Sequence, residues 1–362
     1  LGGWEDSQIE LPSVIEGLFL SPMKAVFALL LLVLALPTAV AEPLGLVLPT
    51  RNNAIFGSDL SAFYMYTDRN FEGKRSRPWT GGKYGFVRNQ KRTSSGIVMT
   101  RFHEGVDIKP VRRDANGVPL DSVHSIMRGT VVHASADSSK SSYGRYVVIR
   151  HDTPDGPFFS LYAHLASVSA RVGTKVAAGT PIGILGYSGV GLDRRRAHVH
   201  VELNLLLSER FPAWHDKHYD SPNHHGLYNG LNMAGIDIAG LYLRHREDPS
   251  VSIREFIGRM SPYYSVAVPQ RGELGLLRRY PWLGQGVNAS SRPAAWKITF
   301  SRSGVPLSIA AHGRAVGAPT IVSVISTSVP HSYNTSGRLS GSGAKATLST
   351  SGRRYLELVT GG

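Results

Sequence analysis

The chain has 362 residues, is 42% hydrophobic and 18% charged, and carries a formal net charge of +14. This size and apolar content describe a globular protein of two domains, or one domain with a sizeable appendage, and exclude a disordered chain. It contains no cysteine, which excludes disulfides, a thiolate nucleophile, cysteine-ligated zinc and lipoprotein anchoring.

Residues 1–22 precede Met23 and read as upstream sequence with no place in the fold. Met23-Lys24, the apolar run 25–36 and Pro37-Thr38-Ala39-Val40-Ala41 describe a signal peptide over 23–41, cleaved after Ala41. The run is shorter than the about 20 residues a spanning helix needs. An exported protein, periplasmic or extracellular and not integral to the membrane after processing, is therefore expected. Cleavage removes Glu5, Asp6, Glu10, Glu16 and Lys24, which raises the net charge to +17. Such a basic protein suits an anionic cell-wall polymer, an acidic membrane surface or nucleic acid. Without a recognition helix or aromatic ladder, nucleic acid is not expected as a partner.

Residues 42–98 lack clean periodicity and are expected to form an irregular extension packing on the next domain, its aromatics serving as packing residues. Over 99–207 the texture changes to short runs rich in Val, Ile, Tyr and Phe, at 129–134, 143–150, 158–165 and 181–185, separated by glycine turns. That pattern predicts a mainly β, antiparallel core. Residues 208–291 read as a mixed segment: a polar loop over 214–226 bracketed by Pro212 and Pro222, then a capped helix presenting Ile253, Phe256, Ile257 and Met260. Residues 292–362 are expected to be a small β-rich module, with strands at 296–300, 320–325 and 355–359.

The chemistry centres on residues 197–205, where polar and apolar residues alternate without a break. Period two predicts a half-buried strand with His198, His200, Glu202 and Asn204 on one face and Val199, Val201, Leu203 and Leu205 on the other. Two neighbouring imidazoles there form either the wall of a metal site or a pair of surface histidines. Upstream, His103-x-x-x-Asp107 offers a nitrogen and an oxygen. With His200 these make the three-ligand set of a catalytic zinc, which keeps a fourth position for water. His198 is placed to steer that water. In a strand over 160–165, Tyr162 and His164 would share a face, with Leu161, Ala163 and Leu165 behind them. His215, His218, His224 and His225 read as loop residues, and His124, His133 and His151 as structural or surface residues. Asp193-Arg194-Arg195-Arg196 reads as a solvated loop, or else as a grip on a substrate carboxylate. Gly186 to Gly191 is a turn, since no Gly-Lys-Ser/Thr follows it.

In order, His103-x-x-x-Asp107, Tyr143-Gly144-Arg145-Tyr146-Val147-Val148-Ile149, Leu161-Tyr162-Ala163-His164-Leu165, the run from Val172 to Gly183 and His198-Val199-His200 resemble the lysostaphin/LytM-type zinc metallopeptidases of peptidase family M23. The resemblance covers roughly residues 100–206. It implies a compact antiparallel sheet with one zinc ion in a groove, held by His103, Asp107 and His200, with His164 and His198 as the catalytic pair. It also implies a cell-wall hydrolase that cleaves peptidoglycan stem or cross-bridge peptides. The usual Gly-Pro-His-Leu-His-Phe-Glu ending is here Arg196-Ala197-His198-Val199-His200-Val201-Glu202, which changes the approach turn and keeps both imidazoles. The alternative is a non-catalytic cell-wall-binding or amidase-activating module that uses the same β core as a scaffold.

Overall fold

The computed structural model describes residues 43–361; the expected signal peptide and the segment before it lie outside the described residues. The protein is mainly β. Two hairpins come first: β1 (Arg69–Phe71) with β2 (Lys74–Ser76), and β3 (Gly85–Thr93) with β4 (Gly96–His103). The second of these runs across residue 98, inside a stretch whose alternation did not announce a strand.

A nine-stranded antiparallel sheet follows, made of β5 (Val106–Ile108), β6 (Ser122–His124), β7 (Gly129–Ser135), β8 (Arg145–Thr153), β9 (Gly156–Val168), β10 (Lys175–Val176), β11 (Pro181–Leu185), β12 (Val199–Leu206) and β13 (Met233–Ile236). Its main path runs β10-β7-β8-β9-β11-β6, and β12 pairs with β9, β5 and β13. The expected strand runs at 129–134, 143–150, 158–165 and 181–185 all fall on strands of this sheet.

A second sheet joins β14 (Tyr264–Pro269), β15 (Gly284–Gln285), β16 (Ala295–Phe300), β17 (Pro306–His312) and β18 (Thr320–Val324) in the order β15-β17-β16-β14-β18. Residues 264–269 thus sit between strands contributed from beyond residue 292. One apolar cluster is continuous through both sheets, from Val106 and Tyr162 to Trp296 and Leu356. Tyr280 pins the two together: its hydroxyl accepts the Leu206 N–H at 2.9 Å and donates to the Pro157 carbonyl at 2.7 Å.

Every residue of β12 is buried. Val199, Val201, Leu203 and Leu205 enter the main core as their alternation requires. The opposite face, expected to be open, continues into a smaller apolar cluster that includes Tyr146, Phe159, Leu161, Ala163, Leu206 and Met233, with Tyr143, Leu227 and Tyr228 packed against it. Burying a polar row costs several kcal/mol unless each group is hydrogen-bonded, so His200, Glu202 and Asn204 need partners.

Two expectations are corrected. Residues 211–218 form an α-helix, not a loop. Pro212 stands in its first turn, where a missing N–H costs nothing because no intrahelical acceptor exists there. Phe211, Trp214 and His215 turn inward at helical spacing, and the Trp214 indole donates to Arg354 O at 3.0 Å. The expected strand at 355–359 lies within the helix Thr350–Thr360. Ser349 caps it by accepting the Gly352 N–H, and Gly352, Tyr355, Leu356 and Val359 recur at spacings of three and four, the period of a helix. The expected helix near Ile253 forms over Ile253–Gly258, started by a Ser252/Glu255 capping box. Among the described residues, no helix is long and apolar enough to cross a membrane.

Candidate metal centre

Antiparallel pairing of β12 with β5 sets His200 directly opposite Asp107. At the end of β4, four residues before Asp107, His103 is brought to the same point. His103 Nε2, His200 Nδ1 and Asp107 Oδ1 lie 2.9 to 3.1 Å from one another. A tetrahedral zinc with bonds of about 2.0–2.1 Å would hold its ligand atoms about 3.3 Å apart, and its usual donors are these same imidazole nitrogens and carboxylate oxygens. The residues therefore fit a zinc ion in both spacing and donor chemistry.

Four imidazoles point one nitrogen at this centre, and in each the other nitrogen is anchored. Nδ1–H of His103 donates to Lys83 O at 2.8 Å. Nε2–H of His200 donates to Glu202 Oε1 at 2.8 Å. Nδ1–H of His198 donates to Arg196 O at 2.7 Å, and Nδ1–H of His164 to Ser188 O at 2.9 Å. With a metal bound, these acceptors would assign the tautomers and leave His103 Nε2, His200 Nδ1, His198 Nε2 and His164 Nε2 as the convergent lone pairs; without it, His200 Nδ1–H donates to Asp107 Oδ1. The His164 and His198 rings meet edge to face at 4.9 Å, and His198 Nε2 is 3.4 Å from Asp107 Oδ1.

The electrostatics follow from burial and pairing. Burial and the neighbouring His198 and His200 rings hold His164 well below the ordinary 6.5, so it is neutral at neutral pH. Burial would raise Asp107, yet His103 and His198 hold it well below the usual carboxylate range. Burial would lower His200, but its bonds to Asp107 and Glu202 push it up to about 9. A cation taking Nδ1 of His200 therefore displaces a proton.

His164 reaches the centre through a break in β9. Residues Leu161 and Ala163 face the site side, and Tyr162 faces the main core, where its hydroxyl accepts the Ile126 N–H at 2.8 Å. Regular alternation would send His164 into the core with Tyr162, as the expected shared face implied. A bulge opposite Tyr146, between Tyr162 and Leu165, turns His164 over instead, with its φ at +62° in the left-handed region. Beside it, the turn after β11 acts as a shelf: Gly186 O accepts the His198 N–H at 3.1 Å, and Ser188 O takes the His164 ring. Gly189, at φ +104°, is required there, since a Cβ would stand 2.3 Å from Ser142 O.

Reading the chain alone missed two partners. Glu202 accepts from His200, from Tyr143 Oη at 2.8 Å and from Asn204 Nδ2 at 3.0 Å. A carboxylate two residues beyond a candidate metal-ligand histidine on one strand face was the available signal. Arg88, from β3, donates to Asp107 Oδ2 at 2.5 Å; nothing in the sequence pointed to it. The Asp193–Arg196 turn is held by its own contacts: Arg195 pairs with Asp193 at 2.8 Å, and Arg194 O accepts from Arg113 at 2.8 Å.

The remaining histidines stay apart from the centre. His218 pairs with Glu357 and His225 with the Tyr146 hydroxyl, while His215 is buried in its helix. His151 is internal to the sheet, with Nδ1 on Arg128 O at 2.7 Å and Nε2 against Ser160 Oγ at 2.6 Å. Burial pushes it down from 6.5 to about 4. The unfolded chain takes up this proton near pH 6.5 and the folded protein only near pH 4. The His151 contribution, whole at neutral pH, is therefore lost as pH falls through that window, by on the order of 3 kcal/mol. The urea midpoint should fall further between pH 7 and pH 4.5 for the native chain than for His151→Gln; parallel pH dependences would refute this.

An antiparallel sheet that gathers two imidazoles, a carboxylate and two further poised imidazoles defines the constellation of a metallohydrolase. Residues 101–210 match the family model described as peptidase family M23, and this segment is an M23 peptidase domain. A zinc-containing peptidase of Vibrio cholerae is 22% identical over 39% of this chain and 36% of its own, with a TM-score of 0.25. The catalytic domain of lysostaphin from Staphylococcus simulans is 23% identical over 34% of this chain and 82% of its own, with a TM-score of 0.24. For the catalytic domain of EnpA, a prophage-encoded M23 protein of Enterococcus faecalis, the values are 26%, 41%, 82% and 0.24. The chain thus spans little more than a third of the length of the Vibrio protein. No curated protein matches.

Proposed function

We propose that this chain is an exported zinc-dependent endopeptidase that hydrolyses peptide bonds in the stem or cross-bridge peptides of peptidoglycan. The observation that carries the reading is the meeting of His103 Nε2, Asp107 Oδ1 and His200 Nδ1, all within 4.8 Å of one another, on an M23 domain. In this reading those three side chains hold the metal. When bound, zinc supplies Lewis-acid polarisation of the scissile carbonyl and lowers the pKa of a water molecule. His198 Nε2 or His164 Nε2 takes the proton of the attacking water as its oxygen bonds to the carbonyl carbon. The C–N bond then breaks, and that proton passes to the departing amine. Before that transfer, the imidazolium so formed donates to the developing oxyanion, and the other imidazole, still neutral, accepts a hydrogen bond from the attacking water. The basic composition supports attraction to an anionic cell wall.

Incubation with purified peptidoglycan should release peptide fragments with new amino termini, detected by mass spectrometry. Release should stop with a chelator and return with zinc. Wall binding without release in either condition would favour the non-catalytic wall-binding or amidase-activating alternative.

A further inference from the structure

Asp107 is held from outside the strand that carries it, by side chains and backbone that precede the M23-matching segment. Its backbone carbonyl accepts the Met65 N–H at 2.8 Å. Met65 in turn packs against Gly82, where a Cβ would stand 2.3 Å from Met65 O, so the chain passes this close only as glycine. One residue earlier, Gly81 O accepts Arg88 Nε–H at 2.9 Å. The same guanidinium donates through its other arm to Asp107 Oδ2 at 2.5 Å. One fork thus ties the 79–82 turn to the one carboxylate oxygen that does not face the histidines.

The backbone of β3 is shaped for this. His103 and Arg101, two apart on β4, share a face, and regular pairing from Gly85 opposite His103 would set Val87 opposite Arg101. Instead the register shifts between Phe86 and Arg88, and Arg88 stands opposite Arg101. A one-residue slip changes which face a side chain occupies. The bulge therefore puts Arg88 on the face of His103, and Val87 off it.

Resting on the metal-centre reading above, we infer that Arg88 is a positioning residue: it occupies Asp107 Oδ2 so that Asp107 binds the metal through Oδ1 alone. A carboxylate with both oxygens free can chelate one cation twice and raise its coordination number. A carboxylate with one oxygen committed to a guanidinium cannot, and the position that a catalytic site keeps for water or substrate is preserved. The N-terminal hairpin is then part of the catalytic centre and not a detachable appendage. The guanidinium also repels a dication, so its charge alone would weaken metal binding. The proposal requires orientation to outweigh that repulsion.

The test uses the full chain and its Arg88→Met and Arg88→Lys variants, with near-UV circular dichroism confirming the fold. Zinc affinity is read by chelator competition, and coordination by the visible absorption of the cobalt-substituted proteins. Arg88→Met should bind zinc roughly 10–100-fold more weakly, and its cobalt bands should weaken as the coordination number rises. Arg88→Lys should recover part of both. A cobalt spectrum identical to the wild type in both variants, or zinc binding tighter in Arg88→Met, overturns the role of Arg88. A wild-type protein that binds neither metal overturns the metal-centre reading itself, which separates the two failures.

Discussion

Alanine at position 198 is expected to leave about one zinc per chain and to lower turnover by roughly 10²–10⁴-fold, the usual worth of a general acid or base. Alanine at position 200 should remove metal and turnover together. The difference lies in where each ring is anchored. His200 is clamped between Glu202 at Nε2 and Asp107 at Nδ1, so its deletion takes away a proposed ligand and leaves two buried carboxylates without their shared donor. His198 is anchored through Nδ1 to Arg196 O, and its Nε2 lies 3.4 Å from Asp107 Oδ1. Its deletion leaves the three-ligand set whole. Metal content of the two purified variants, measured beside their rates on a soluble peptide, decides the matter. Equal zinc loss in both would contradict the division of roles.

Replacing Glu202 by alanine should damage stability and metal binding at once. Burial would raise this carboxyl, but its bonds to His200, Tyr143 and Asn204 keep it below its ordinary value and ionised. Alanine would leave the His200 ring N–H, the Tyr143 hydroxyl and the Asn204 amide facing a space that excludes water, at a cost on the order of 3 kcal/mol. With its ring no longer oriented, His200 should hold zinc roughly 10–100-fold less tightly. Glu202→Gln keeps the shape and one acceptor oxygen, and should fall between alanine and the wild type in both respects. Urea unfolding midpoints and chelator competition measure the two effects. If Glu202→Ala holds zinc as tightly as the wild type, Glu202 has no part in supporting the centre.

The site was legible in the sequence where the backbone is regular. Strict alternation over 197–205 fixes which residues share a face, and β12 obeys it, so His200, Glu202 and Asn204 lie together as expected. His103 and Asp107 were visible through their four-residue spacing, which a strand end and a short loop translate into one cluster. What alternation could not show is an inserted residue. Both His164 and Arg88 reach the centre through bulges, and a bulge reverses the parity from which a face is read. Alternation alone therefore sets Tyr162 and His164 on one face and gives no sign of Arg88. The helices at 211–218 and 350–360 were hidden for another reason. Pro212 and the apolar pair Leu358-Val359 imitate loop and strand signals locally, whereas the helical spacing emerges only over two turns.

His164 keeps its ring in place on a backbone that suits an amino acid without a side chain. Glycine at that position would relax the main chain and delete the imidazole in a single step. Robustness and competence therefore pull this one codon in opposite directions. If His164 acts as proposed, breeding the protein for heat tolerance alone would drift toward a sturdier but inert descendant, so any such campaign has to screen for cleavage as well.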